Sequence, residues 1–202
     1  ISNITSTVNW ENSNNINEIC AYDIGPGNCL IDEWIRKNSK KKYDKDGLIA
    51  KSGKSDKLIL NQAMENLSDK FNYEKSLDVK DFDILFAKGL SLENGAATIT
   101  ELTAKLIAGG ISYVNKMSKQ SINNWLVCGG GRKNKFLIEN IKNNFKHLNI
   151  DTVEKYNIDG DFIESQAFAY LAIRSLEGMP ISFPTTTRCE QELTGGVVVK
   201  NF

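Results

Sequence analysis

The chain has 202 residues, 41% of them hydrophobic and 25% charged, with 25 basic residues balancing 25 acidic ones. Such values belong to a globular protein and exclude a disordered one, and a net charge of zero gives no electrostatic case for nucleic acid or an anionic membrane surface. Cys20, Cys29, Cys128 and Cys189 form no CxxC pair and the single His147 stands apart from them, which argues against a Cys/His metal site and for reduced thiols in the cytoplasm.

Taken in chain order, residues 1–8 read as a strand already under way, so the sequence is expected to open inside a longer protein. The Asn-rich stretch 9–17 reads as a hairpin loop into a second strand over 18–24. That strand ends in Tyr22-Asp23-Ile24-Gly25-Pro26-Gly27-Asn28, at the point where the pattern turns helical. Asp23 would aim a carboxylate into a cleft, Gly25 and Gly27 would let the backbone approach a phosphate closely, and Pro26 would stiffen the turn. Asn28 is placed to cap the next helix, whose first N–H groups favour an anion. A plain Gly-Pro-Gly turn beside a solvated aspartate fits the same residues, and both readings stand at this point.

A helix is expected over 28–38, with Leu30, Ile31, Trp34 and Ile35 at 3.6-residue spacing, followed by helical segments at 45–51, 56–67 and 81–88. The lysines at 40–42 and between 51 and 57 read as solvated faces. Gly53-Lys54-Ser55 mimics a P-loop, but Leu48 stands where the first glycine is required, and the segment follows polar residues rather than a buried strand. Residues 95–117 read as one long helix, loosened at Gly109-Gly110. No stretch attains the length of a membrane span, and no signal peptide is expected at the start.

The short apolar run Trp125-Leu126-Val127-Cys128 reads as a strand stopped by Gly129, Gly130 and Gly131. Three residues without side chains make a flat surface for a purine and ribose, or simply a tight turn; the order Gly-x-Gly-x-x-Gly is not met. Asn134 or a neighbour would cap a helix over 135–145, and 150–153 would be another strand. Asp161 as N-cap with Glu164 three residues on reads as a capping box opening a helix over 162–176, while Glu164 is also a candidate to hold a sugar hydroxyl. Strands alternating with helices and ending in glycines indicate an α/β domain with ligands at the carboxyl ends of its strands.

Together these segments resemble the anhydro-N-acetylmuramic acid kinases, of the actin, Hsp70 and sugar-kinase superfamily. The likeness rests on the motif from Asp23 to Asn28 with Leu30-Ile31-Asp32, on Tyr43-Asp44-Lys45-Asp46-Gly47, and on Lys75-Ser76-Leu77 with Asp81-Phe82. It continues through Thr100-Glu101-Leu102-Thr103-Ala104, Cys128 to Gly131 with Asn134, Asp159-Gly160-Asp161, Glu164, Ala167-Phe168-Ala169, Leu171-Ala172, Pro184 and Thr194-Gly195-Gly196. It implies an RNase H-like ATPase domain of the actin and hexokinase type, a mixed sheet flanked by helices, spanning 1–202 with a helical insertion at about 40–92.

The resemblance further implies ATP with Mg2+, the ion meeting protein through water, a sugar substrate, and a role in peptidoglycan recycling. Asp23 is implied as the base that takes the attacking water's proton. Gly25, Gly27 and Asn28 are implied on the phosphate side, Gly129, Gly130 and Gly131 beside the adenosine, Asn134 among the residues that bind ATP, and Glu164 at the sugar. Homodimerisation is expected only from the family. Departures fall at Val79, where the family usually has arginine, at Tyr73-Glu74 in place of prolines, and at Arg188 in place of glycine. The Gly-Thr-Ser-x-Asp-Gly phosphate loop that opens the family is not matched, so an N-terminal domain is expected to be missing. The alternatives are a non-catalytic nucleotide-binding fragment, the partner subunit of a split kinase, and a different kinase of the same superfamily.

Overall fold

A computed structural model describes residues 1–7, 19–68, 77–118 and 121–199. The expected hairpin loop at 9–17 and the positions Tyr73, Glu74, Lys75 and Ser76 lie outside the described residues. Strand β1 (Ser2–Thr7) pairs antiparallel with β2 (Ile19–Gly25), Asn3 opposite Asp23 and Ile4 opposite Tyr22. Strand β3 (Asn124–Val127) pairs in parallel with β4 (Asn149–Thr152), Trp125 opposite Ile150. The architecture is mixed α/β. Where one mixed sheet was expected, the described residues form two sheets of two strands each. Ser2, Asn3, Ile4 and Thr5 of β1 and Trp125, Leu126 and Val127 of β3 line one shared cavity, as do Ile24 of β2 and Ile150 of β4.

Helix α1 (Cys29–Asn38) buries Leu30, Ile31, Trp34 and Ile35, the four residues its 3.6-residue spacing marks. A 3-10 turn at Lys45–Gly47 leads into α2 (Leu48–Ser52). Buried Asp44 closes this start, its carboxylate accepting from the Ile49 and Ala50 N–H groups at 2.9 Å each. Helix α3 (Lys57–Ser68) begins where Asp56 accepts from the Leu58 and Ile59 amides. The helix expected at 81–88 is instead a pair of 3-10 turns, Val79–Asp81 and Leu85–Ala87. Asp78 accepts from the Lys80 N–H while Asp81 accepts from the Asp78 N–H at 2.7 Å, a reciprocal cap that closes the first turn upon itself.

Helix α4 (Leu92–Met117) is the spine, 26 residues and so about 39 Å long. It starts three residues ahead of the expected point because Ser91 caps it, accepting from the Asn94 N–H at 3.2 Å. It also runs unbroken through Gly109-Gly110. Gly110 serves close approach rather than loosening: a Cβ there would come within 2.8 Å of the Ile24 side chain on β2. One apolar cluster packs α1, α2 and α3 on its first half through Ile99, Leu102 and Leu106, and a second packs both sheets through Ala104, Ile111 and Val114. The second cluster is completed by α5 (Lys135–Asn143), which buries Leu137 and Ile141.

The chain continues through α6 (Ile163–Leu176) to the short α7 (Pro184–Thr187). No residue of α6 is buried, and Phe168, Tyr170, Ile173 and Leu176 are each more than half exposed, at 58% to 68%. The capping box expected at its start does not form: Phe162 is the N-cap residue and no side chain caps it. Asp161 is engaged elsewhere, with Arg132 and Lys133.

Candidate functional site

The site is built where two strands give way to helices. Beyond β2, Pro26 is fully buried and Gly27 adopts φ +58°, a left-handed conformation that admits glycine readily. Gly27 also lies against the Ile1 and Ser2 backbone, 3.1 Å from where its Cβ would stand, so a larger residue is disfavoured twice over. Beyond β3, Gly129 adopts φ +69° and opens a 3-10 turn, Gly130–Lys133. A Cβ built on Gly129, Gly130 or Gly131 would meet nothing within 4 Å, so the turn presents bare backbone to open space.

The two turns come together. Gly27, Asn28, Gly129, Gly130 and Gly131 all line one cavity of about 420 Å³. Asn134 caps α5, its Oδ1 accepting from the Leu137 N–H at 3.0 Å, while its Nδ2 donates to Asn28 Oδ1 at 3.3 Å. Asn28 occupies the N-cap position of α1 without making a side-chain cap there, contrary to its expected role. Its amide oxygen instead accepts from the other turn, across 106 residues of sequence. Two helix starts are thereby tied side by side at one end of the cavity, each with the partial positive charge that favours an anion. Most of the remaining lining is apolar, with Ile107 and Ile111 from α4 and Leu137, Ile138 and Ile141 from α5 among the contributors, while Ser2, Asn3 and Thr5 add polar groups.

The remaining sequence-derived candidates stand outside this lining. Asp23 is half-buried on β2, its Oδ1 accepting from Asn3 Nδ2 at 3.2 Å. Because side chains alternate along a strand and Ile24 packs on α4, Asp23 points to the sheet face away from that helix. Gly25 is buried against Leu106. Glu164 is exposed in the first turn of α6. Among the described residues, no group of three or more His, Cys, Asp or Glu side chains is arranged to hold a metal ion, and no helix is long and apolar enough to cross a membrane.

Sequence reasoning missed Arg132. Its side chain is only 6% exposed and its guanidinium donates to three acceptors: Nε to Glu154 at 2.5 Å, Nη1 to the Gly129 carbonyl at 2.9 Å, and Nη2 to Asp161 at 2.9 Å. The Arg132 hydrogen bond holds the Glu154 carboxyl down at about 2, and Lys133 together with Arg132 holds the Asp161 carboxyl below its ordinary value. Elsewhere, burial pushes the Asp32 carboxyl on α1 upward.

A family model described as anhydro-N-acetylmuramic acid kinase matches residues 1–201. Among similar curated proteins, the anhydro-N-acetylmuramic acid kinase of Pelagibacter ubique is 45% identical over 206 residues, covering 100% of this chain and 53% of that protein. Its counterpart in Rhodospirillum rubrum is 39% identical over 176 residues, covering 87% of this chain and 46% of the relative. That of Methylorubrum populi is 36% identical over 200 residues, covering 98% and 51% respectively. The chain thus spans about half the length of the curated relatives it matches. With a match running over all but its last residue, the chain belongs to the anhydro-N-acetylmuramic acid kinase family.

Proposed function

We propose that the whole protein transfers phosphate from ATP to 1,6-anhydro-N-acetylmuramic acid, with water opening the anhydro bridge to give N-acetylmuramic acid 6-phosphate for peptidoglycan recycling. The observation that carries this reading is the Asn28–Asn134 hydrogen bond, which brings the two glycine turns to one end of a single cavity. The finer fold, an RNase H-like ATPase domain of the actin and hexokinase type, belongs to the same proposal and is supported by the family.

In this reading Gly129, Gly130 and Gly131 receive the adenosine on their open backbone face, and Asn134 fixes that turn relative to the first. Gly27 and Asn28 are assigned to the phosphate side, where the start of α1 favours negative charge, and Gly25, buried against Leu106 outside the cavity, would act only through the shape of that turn. Asp23 takes a proton from water as the water oxygen bonds to the anomeric carbon. The bond from that carbon to O6 breaks, O6 bonds to the γ-phosphorus, and ADP leaves. A positioned carboxylate contributes on the order of 10²–10⁴ in rate, alignment and charge stabilisation supplying the rest. Magnesium, when bound with the nucleotide, would neutralise phosphate charge and is assigned contacts with protein through water. Glu164 is assigned to the sugar.

Asp23 and Glu164 stand outside the cavity that gathers the glycines, which favours nucleotide binding without turnover for this chain alone. The decisive experiment uses the full-length protein. Asp23→Asn is expected to abolish sugar-dependent ADP release, measured by a coupled assay, while ATP still binds by calorimetry. Turnover retained by the variant would rule out the base.

A further inference from the structure

We propose that Arg132 is a positioning residue for the nucleotide turn: its guanidinium ties the Gly129 carbonyl to Glu154 and Asp161 and so holds the open face of Gly129, Gly130 and Gly131 ready for ligand. This inference rests on the nucleotide reading of that turn. Three adjacent glycines have more conformational freedom than any other tripeptide, and freezing them opposes ligand binding by the freedom lost. A turn already fixed in the ligand-free protein avoids that opposition.

The geometry supplies such a fixture from beneath. The Gly129 carbonyl accepts twice from the same residue, from the Arg132 N–H at 3.3 Å and from Nη1 at 2.9 Å. The other two contacts reach the 3-10 turn Val153–Tyr156, which follows β4, and the loop before α6. Arg132 therefore joins three loops, two of which directly follow the parallel strands β3 and β4. Gly160 closes the pocket around the guanidinium, because a Cβ on it would lie 2.3 Å from Arg132 Nε. Lysine would reproduce the charge and not this fork, since only the planar guanidinium offers donors in several fixed directions. Ion pairs to half-exposed carboxylates are by themselves weak ground for a stabilising role. The direct bond to the glycine carbonyl is what assigns a task in ligand recognition.

The test is made in the full-length enzyme with Arg132→Ala and Arg132→Lys, beside Leu60→Ala as a destabilised control whose side chain is buried in the α1–α3 cluster. Arg132→Ala is expected to raise KM for ATP about tenfold, with kcat and the sugar KM within about twofold of wild type, and Arg132→Lys to recover part of that loss. The control is expected to lower Tm and leave KM for ATP unchanged. Should Arg132→Ala lower Tm alone, or cut kcat without touching KM for ATP, the proposal is overturned. Should that variant not fold, Glu154→Gln takes its place. Hydrogen exchange of the 129–131 amides in the ligand-free protein is then expected to quicken by about tenfold, and unchanged exchange overturns the fixture equally. A wild-type enzyme lacking ATP-dependent turnover would instead sink the nucleotide reading, leaving the exchange measurement to judge Arg132 on its own.

Discussion

At Gly130 there is room for a methyl group and no positive φ to forbid it, so substitution separates folding from binding cleanly. Gly130→Ala is expected to change stability by less than about 0.5 kcal/mol yet lower ATP affinity at least several-fold, by occupying the face on which the nucleotide would lie; thermal melts and calorimetry on the same protein check both halves. Glu154 gives the acid limb of stability. Its carboxyl is held at about 2 against an ordinary 4.5, so its contribution is fully present above the unfolded value and is lost as pH falls through about 2. Glu154→Gln is expected to flatten the loss of stability between those two values in pH-dependent melts. The glycines and Asn134 were legible in sequence because turn chemistry is local. The Asn28–Asn134 contact and the Arg132 fork were not, since an arginine after a glycine run reads as a solvated charge until a fold brings Glu154 and Asp161 to it. The same arginine accounts for the failed capping box, because it holds the aspartate that local rules would place at the helix start.

Among the elements, α4 carries the most information. Thr100 and Thr103 are fully buried, and their hydroxyls have no hydrogen-bond partner among the described residues. Thr103→Val keeps the shape and removes a polar group from an apolar setting, so a gain of about 1 kcal/mol is expected in denaturant melts. Gly110→Ala should act in the opposite sense by about 1–3 kcal/mol, since the new methyl meets Ile24 and overpacks the seam between helix and sheet. Periodicity was enough to find α1, where burial follows the 3.6-residue repeat, and helix-favouring composition was enough for the body of α4. It failed at 81–88, where aspartate side chains satisfy the backbone within one turn and remove the need for a longer helix. It also misjudged Gly109-Gly110, because a glycine pair inside a long helix reads as weakness until its neighbour is known.

For the molecule as a whole, alternation of strands and helices was sufficient to indicate α/β organisation, but not to show that the described strands stand as two separate pairs. Pairing partners across a cavity are a property of the packed chain, with no residue pattern to announce them. Asp23 and Glu164 stand outside the cavity that gathers the glycines, so the 202-residue chain by itself is expected to show ATP binding and no sugar-dependent ADP release. Measured turnover by it alone would refute that expectation. The exposed apolar side chains of α6, Phe168, Tyr170, Ile173 and Leu176, carry a practical consequence for anyone producing this polypeptide by itself. Apolar surface left in water adheres to its like in other copies, and preparations should become turbid or polydisperse on concentration by light scattering; a monodisperse concentrated solution would refute this.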